Sequence, residues 1–444
     1  MLRCGQTEVS RSHSHSTPPN STHQIPHKDD GLGFFDMLPS ELVSAIFEHS
    51  RYHRTPDGFR SRLRFPMVLL QVCHRWRVIA IETPTLWTHI IVLPTDKYHS
   101  PHLDDVHLYV ERSGSRPISL TWNHRDWNHN PVIHDVLPST FTRLKNVIIA
   151  TAGSGVRDSL QFNLEAMSFP ILERLTCYTG HETSVPAVNL HTPRLRHGVF
   201  HDYMIPVGTF PSMVTLEIIL SGTIQWFDAA AFFDLLHKVA QTLKCLRLRT
   251  PRRALQNYTR STPNVQLPEL VVLDLRSTPE MLSFISTPSL RTLCLDGYSG
   301  DPISRFTSFD APMLTHLKLE NLPLLDLETT PDFPWRFQEL EAVMLLRCRS
   351  SRSFFCHASS TRHGIPAFPS LRSITFTDTN VFPSIKHMVE GREAADPGRS
   401  TLKRLRFVAG NHYLWVDDVE WASAQGIELS HGPGIGDSWA TTPF

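Results

Sequence analysis

Between residues 144 and 407 the chain returns again and again to one short pattern, Leu-x-x-Leu-x-Leu, in which apolar places alternate with polar ones. Copies begin at Leu144, Leu172, Leu195, Met213, Leu243, Leu270, Leu290, Leu314, Leu340, Leu371 and Leu402, with Val, Ile, Cys, Phe and, at Gly198, glycine standing at some of the later apolar places. Alternation with period two predicts a strand with one buried face. The spacing runs from 18 residues between Leu195 and Met213 to 31 between Leu340 and Leu371. Apolar places at helical spacing lie between some copies: Phe232, Leu235, Leu236 and Val239 predict a helix over 227–241, and Ile385 and Val389 one over 383–390. Ahead of the first copy, residues 104–112 read as a helix and 117–122 as a strand.

The mean period, about 26 residues, lies inside the ~20–29 of leucine-rich repeats. The predicted fold class is therefore α/β, an irregular leucine-rich-repeat solenoid in which each unit buries the apolar edge of its neighbour. The asparagine usual at the ninth place is missing, replaced by Gly180, Ser221, Thr278, Tyr298, Leu322, Cys348 or Thr379. Seven copies have a proline two residues ahead: Pro170, Pro193, Pro211, Pro268, Pro288, Pro312 and Pro369. A proline there ends a return segment and leads into an extended strand.

Upstream the pattern is helical. Leu38, Leu42 and Ile46 recur at four-residue spacing with Val43 and Phe47 beside them, Pro39 suits a first helical position, and Glu41 complements the helix dipole. Leu69, Val72, Cys73, Trp76 and Ile79 predict a second helix over 69–80, stopped by Thr83-Pro84 and followed by Leu86-Trp87. Fewer than ~60 residues bury only a marginal core, so these large side chains point to a partner or to a cap on the solenoid's end.

The order Leu38-Pro39-x-Glu41-Leu42, Ile46-Phe47, Val72-Cys73-x-x-Trp76-Arg77 and Ile81-x-Thr83-Pro84-x-Leu86-Trp87 resembles an F-box, in particular the F-box-like family of mushroom-forming fungi. The connection 49–65, with five arginines, is longer and more basic than a compact F-box requires. The resemblance implies a helical module over 34–92 that docks on the Skp-type adaptor of a Skp–cullin–F-box (SCF) ubiquitin ligase, and through it a cullin. Carried over by position, Leu38, Pro39, Leu42, Ile46, Phe47, Val72, Trp76, Leu86 and Trp87 face that adaptor or support the face. It implies a substrate-recognition subunit, not an enzyme; the alternative is a leucine-rich-repeat interaction scaffold working outside any ligase.

Side chains flanking the buried leucines point to the opposite face of the strands. There they form a charged stripe: Arg174, Glu217, Arg247, Arg249, Asp274, Arg276, Asp296, Lys318, Glu320, Arg404 and Arg406. Mixed charge suits a protein substrate, for which Arg247, Arg249, Asp274, Arg276, Asp296, Lys318 and Glu320 are the candidates. An ordinary solvated face reads the same way.

Composition narrows the classes. Lys and Arg total 43 against 43 Asp and Glu, which lacks the electrostatic footprint of a general nucleic-acid binder. No run approaches the ~18 apolar residues of a membrane span. The first residues carry no apolar signal segment, and the seven cysteines are odd in number and form no Cys-x-x-Cys pair. Both point to free thiols in the cytoplasm or nucleus, where the sequons at Asn20 and Asn257 are chance matches. Neither Gly432-x-Gly434-x-Gly436 nor Gly153-Ser154-Gly155 has the spacing of a nucleotide loop or a nucleophile elbow. His124, His129 and His134 recur at five-residue spacing around Pro131, which does not align them on a helix face. No catalytic residue, metal or cofactor is therefore expected. Residues 1–33 predict a disordered arm, 93–425 the solenoid, and 426–444, with four glycines, a flexible tail.

Overall fold

The alternating apolar places become one face of a sheet. A computed structural model describes residues 37–52, 59–92, 103–123, 137–151, 168–179, 189–202, 207–220, 229–250, 264–297, 309–324, 333–349, 351–355, 361–362, 365–395, 402–408 and 416–432. Three helices lead: α1 (Ser40–Tyr52), α2 (Phe59–Val72) and α3 (His74–Ile81). Fourteen strands follow in a single sheet, each hydrogen-bonded in parallel to the one before and the one after it in the chain. They are β1 (His89–Val92), β2 (Ile118–Asn123), β3 (Leu144–Thr151), β4 (Arg174–Thr179), β5 (His197–His201), β6 (Thr215–Ile219) and β7 (Cys245–Arg249). The rest are β8 (Val272–Arg276), β9 (Thr292–Asp296), β10 (His316–Glu320), β11 (Ala342–Leu346), β12 (Ser373–Phe376), β13 (Arg404–Val408) and β14 (Glu428–Gly432). All eleven strands expected from the Leu-x-x-Leu-x-Leu pattern are present as β3 to β13, and the strand expected over 117–122 is β2.

Parallel neighbours need crossover connections. Helices supply several of them: α4 (Leu103–Arg112) after β1, α5 (Ala229–Val239) after β6, α6 (Phe382–Ala395) after β12 and α7 (Val416–Ala424) after β13. The chain is thus a mixed α/β fold with a large parallel sheet.

Register explains the core. Leu246, Leu273, Leu293, Leu317, Val343, Ile374 and Leu405 stand directly opposite one another across seven strands, and two places on Leu248, Leu275, Leu295, Leu319, Leu345, Phe376 and Phe407 form a second row. Every one of these side chains is buried, and each contributes about 1.5–3 kcal/mol before ordering entropy is subtracted. At the strand entrances one carbonyl takes two successive N–H donors, as Arg291 O does from Thr315 and His316, both at 2.9 Å. The seven prolines occupy the second place of a hydrogen-bonded turn. In each, the N–H of the first leucine-type residue donates to the residue before the proline, for example Leu195 to Thr192 at 3.1 Å and Leu314 to Ala311 at 3.1 Å.

Two expectations need correction. The single helix expected over 69–80 is broken at Cys73, whose backbone is extended (φ −155°, ψ 171°) and whose Sγ caps α3 by accepting the Trp76 N–H at 3.4 Å. The expected tail begins too early. Gly426 is the left-handed stop of α7 (φ 68°), with Gly426 N–H on Ser423 O and Ile427 N–H on Ala422 O, a helix ending that favours glycine. Ile427 is then buried, and β14 joins β13. The arm over 1–33 and the tail beyond 432 lie outside the described residues.

Candidate functional site

Each of the three leading helices buries one apolar set and leaves another in water. In α1, Val43 and Phe47 are buried, whereas Leu42 and Ile46, also four apart, are 52% and 40% exposed. In α2, Leu69 is buried while Val68 and Val72 are about half exposed; in α3, Ile79 and Ala80 are buried while Val78 and Ile81 are exposed. α3 packs against both α1 and α2. Of ten large apolar side chains exposed among the described residues, seven lie between Met37 and Ile81. Scattered exposed apolar residues need no explanation, but this concentration on three packed helices makes the segment the candidate interaction surface.

The nine residues expected at the adaptor divide accordingly. Leu42, Ile46 and Val72 are exposed, and Pro39 is exposed beside them. Leu38 is half-buried, with its carbonyl accepting from the Arg75 guanidinium. Trp76 is half-buried against Phe47, ring centroids 5.0 Å apart. Phe47, Leu86 and Trp87 are wholly interior and support the surface from behind. Trp87 ties α3 to α4: its indole N–H donates to Ala80 O at 2.8 Å, Tyr109 of α4 meets its ring edge-on at 5.1 Å, and the Arg112 guanidinium lies over it at 4.5 Å. Sequence reasoning missed Met37, Val68 and Val78, and it placed Ile81 in the motif without assigning it to the docking face; the Val68/Val72 spacing was the available signal.

The second surface is the sheet face opposite the leucine rows. The charged candidates share it, and most are paired with one another. Arg247 reaches Glu217 at 3.4 Å, Arg276 reaches Asp274 at 3.4 Å, Lys318 reaches Glu320 at 3.0 Å, and Arg347 also bonds Glu320. Asp296 accepts from the Asn321 side chain at 2.7 Å. Burial pushes the Asp274 carboxyl up, an effect that the nearby Arg276, Arg247 and Lys318 oppose. Burial alone would raise Glu320 too, but the hydrogen bonds from Lys318 and Arg347 hold it below its ordinary value. Cys294 stands in register between Asp274 and Lys318, and its burial pushes the thiol up to about 12. Arg249 alone of the seven substrate candidates is exposed, and it makes no side-chain ion pair among the described residues.

The described cysteines Cys73, Cys177, Cys245, Cys294 and Cys348 are free thiols. Among the described residues no group of three or more His, Cys, Asp and Glu is arranged to hold a metal ion, and no helix is long and apolar enough to cross a membrane. The histidines at 124, 129 and 134, the Gly153-Ser154-Gly155 segment, Gly434, Gly436 and both sequons lie outside the described residues. No family model matches the chain, and no curated protein matches it.

Proposed function

We propose that this chain is the substrate-recognition subunit of an SCF-type ubiquitin ligase acting in the cytoplasm or nucleus. Residues 34–92 form an F-box-like module that docks on a Skp-type adaptor, and the residues from 93 through β14, which ends at Gly432, form a leucine-rich-repeat solenoid that holds a protein substrate. The observation that carries this reading is the run of exposed apolar pairs on α1, α2 and α3, at positions that match the F-box pattern in Leu42, Ile46 and Val72. Each large apolar side chain removed from water contributes about 1.5–3 kcal/mol before the costs of association, so a few anchors support a stable complex. The chain performs no chemistry itself. It works by proximity, raising the effective concentration of a bound protein next to the ligase.

Co-purification with a Skp-type adaptor tests this. Wild-type protein should retain the adaptor, and the double substitution Leu42→Asp, Ile46→Asp should release it without lowering the melting temperature, because neither side chain belongs to the core. Equal recovery of adaptor by the two proteins would overturn the reading.

A further inference from the structure

The outward face of the sheet is not equally accessible along its length. From β8 onward much of it is closed: Val272, Asp274, Cys294, Ala342, Met344 and Thr375 are all buried although they point away from the leucine rows. On β4 to β7 the same face is open, with Arg174, Tyr178 and Arg249 exposed and the residues between them half-buried. In this stretch Tyr178, His201, Ile219 and Arg249 stand in register on four consecutive strands. The Tyr178 and His201 rings stack at 4.4 Å with an interplanar angle of 27°.

The exposed arginines give this open part an excess of positive charge. Of the acids near it, Glu217 is already paired with Arg247 and Asp202 acts on His201, while Arg174 and Arg249 are without an ion pair among the described residues. Three strand spacings of ~4.8 Å separate Tyr178 from Arg249, about 14 Å, and an extended peptide crosses that distance in about four residues.

We propose that the row Tyr178, His201, Ile219 and Arg249 binds an extended acidic peptide segment of the substrate, an aromatic or aliphatic side chain packing on the stacked rings and a carboxylate about four residues away meeting Arg249. The ion-paired residues from Asp274 to Glu320 shape the sheet and do not contact the peptide. This deepens the recruitment reading and rests on it for its purpose, but the two fail separately, since peptide binding is measured on the chain alone and adaptor capture at α1.

The test is fluorescence anisotropy of the full chain with fluorescein-labelled ten-residue peptides on a Gly/Ser background. Each carries one Trp and one Glu separated by one to seven residues. Binding should be tightest at separations of three to five. Arg249→Glu, Tyr178→Ala, and replacement of the peptide Glu by Lys should each weaken it at least tenfold, with unchanged circular-dichroism melting. Arg404→Glu, on β13, should leave it unchanged. The proposal is overturned if no peptide saturates at millimolar concentration, if Arg249→Glu binds as wild type does, or if Arg404→Glu loses as much as Arg249→Glu.

Discussion

The Trp76 indole meets the Phe47 ring edge-on, centroids 5.0 Å apart and planes at 62°, so α3 is fastened to α1 by two side chains that the F-box resemblance puts on the docking face or behind it. Phe47 is interior and Trp76 only partly exposed. Trp76→Ala therefore acts through folding. Truncating a well-packed Trp costs about 3–5 kcal/mol, and the half-buried position puts this case near the lower end. Urea denaturation should show that loss in Trp76→Ala and none in Leu42→Asp, Ile46→Asp. If Trp76→Ala keeps wild-type stability while losing the adaptor, the side chain is a contact and not a support.

Gly198 stands in a leucine place because Phe200 fills its space. A Cβ at Gly198 would lie 2.9 Å from Phe200 Cε2 and 3.4 Å from Met213 Cε. The ring is fully buried and has no room to withdraw. Gly198→Ala should overpack the core and cost about 1–3 kcal/mol, although alanine suits a strand better than glycine does. Restoring the repeat pattern with Gly198→Leu should cost more. A thermal melt that rises in either variant would contradict this packing account.

These residues mark what the sequence made legible. Period-two alternation located every strand from β3 to β13, because each unit repeats the same burial and an error in one copy is corrected by the next. The three leading helices have no such redundancy. Cys73 interrupts a continuous apolar spacing with a backbone change that spacing does not encode, and α1 carries two apolar pairs in adjoining sectors, of which only packing decides that Val43 and Phe47 turn inward. The glycine at 426 reads in composition as looseness and in place as a helix stop. The charged stripe was visible as a stripe, but its internal pairing depends on which carboxylate each arginine reaches across strands.

The ninth repeat place, which lacks asparagine, still carries a hydrogen bond at Cys348. Its Sγ lies 3.3 Å from Leu319 O on the preceding unit, and burial pushes the thiol up to about 12, which keeps the proton available for donation. Cys348→Ala should cost about 1 kcal/mol through the unanswered carbonyl, and Cys348→Ser should recover part of it. Mass-spectrometric mapping after brief iodoacetamide treatment at pH 8 should find Cys73 alkylated and Cys348 intact, since the first is exposed and the second buried. Early labelling of Cys348 would mean that this part of the sheet opens readily.

Three histidines on the outward sheet face make stability depend on pH. His197, His201 and His316 are each held below the ordinary 6.5, chiefly by burial, with Arg174 and Arg196 adding to the effect at His197. Carboxylates oppose it: Glu173 at His197, Glu217 and Asp202 at His201, Glu341 at His316. A base whose folded pKa lies below its unfolded value is neutral in the fold, so the unfolded chain binds more protons as pH drops through 6.5. Stability should therefore be full above about pH 7 and decline as pH falls from 6.5 toward the lower folded values. The depressed carboxylate at Glu320 acts only below its ordinary 4.5, and the raised carboxyl of Asp274 works in the opposite sense, favouring the fold as pH falls, so a loss of stability on acidification from pH 7 to 5 is assigned to the histidines. Urea titrations across that range should give a falling midpoint in the wild type and a flatter one in the triple substitution His197→Asn, His201→Asn, His316→Asn; parallel slopes in the two proteins would place the proton uptake elsewhere.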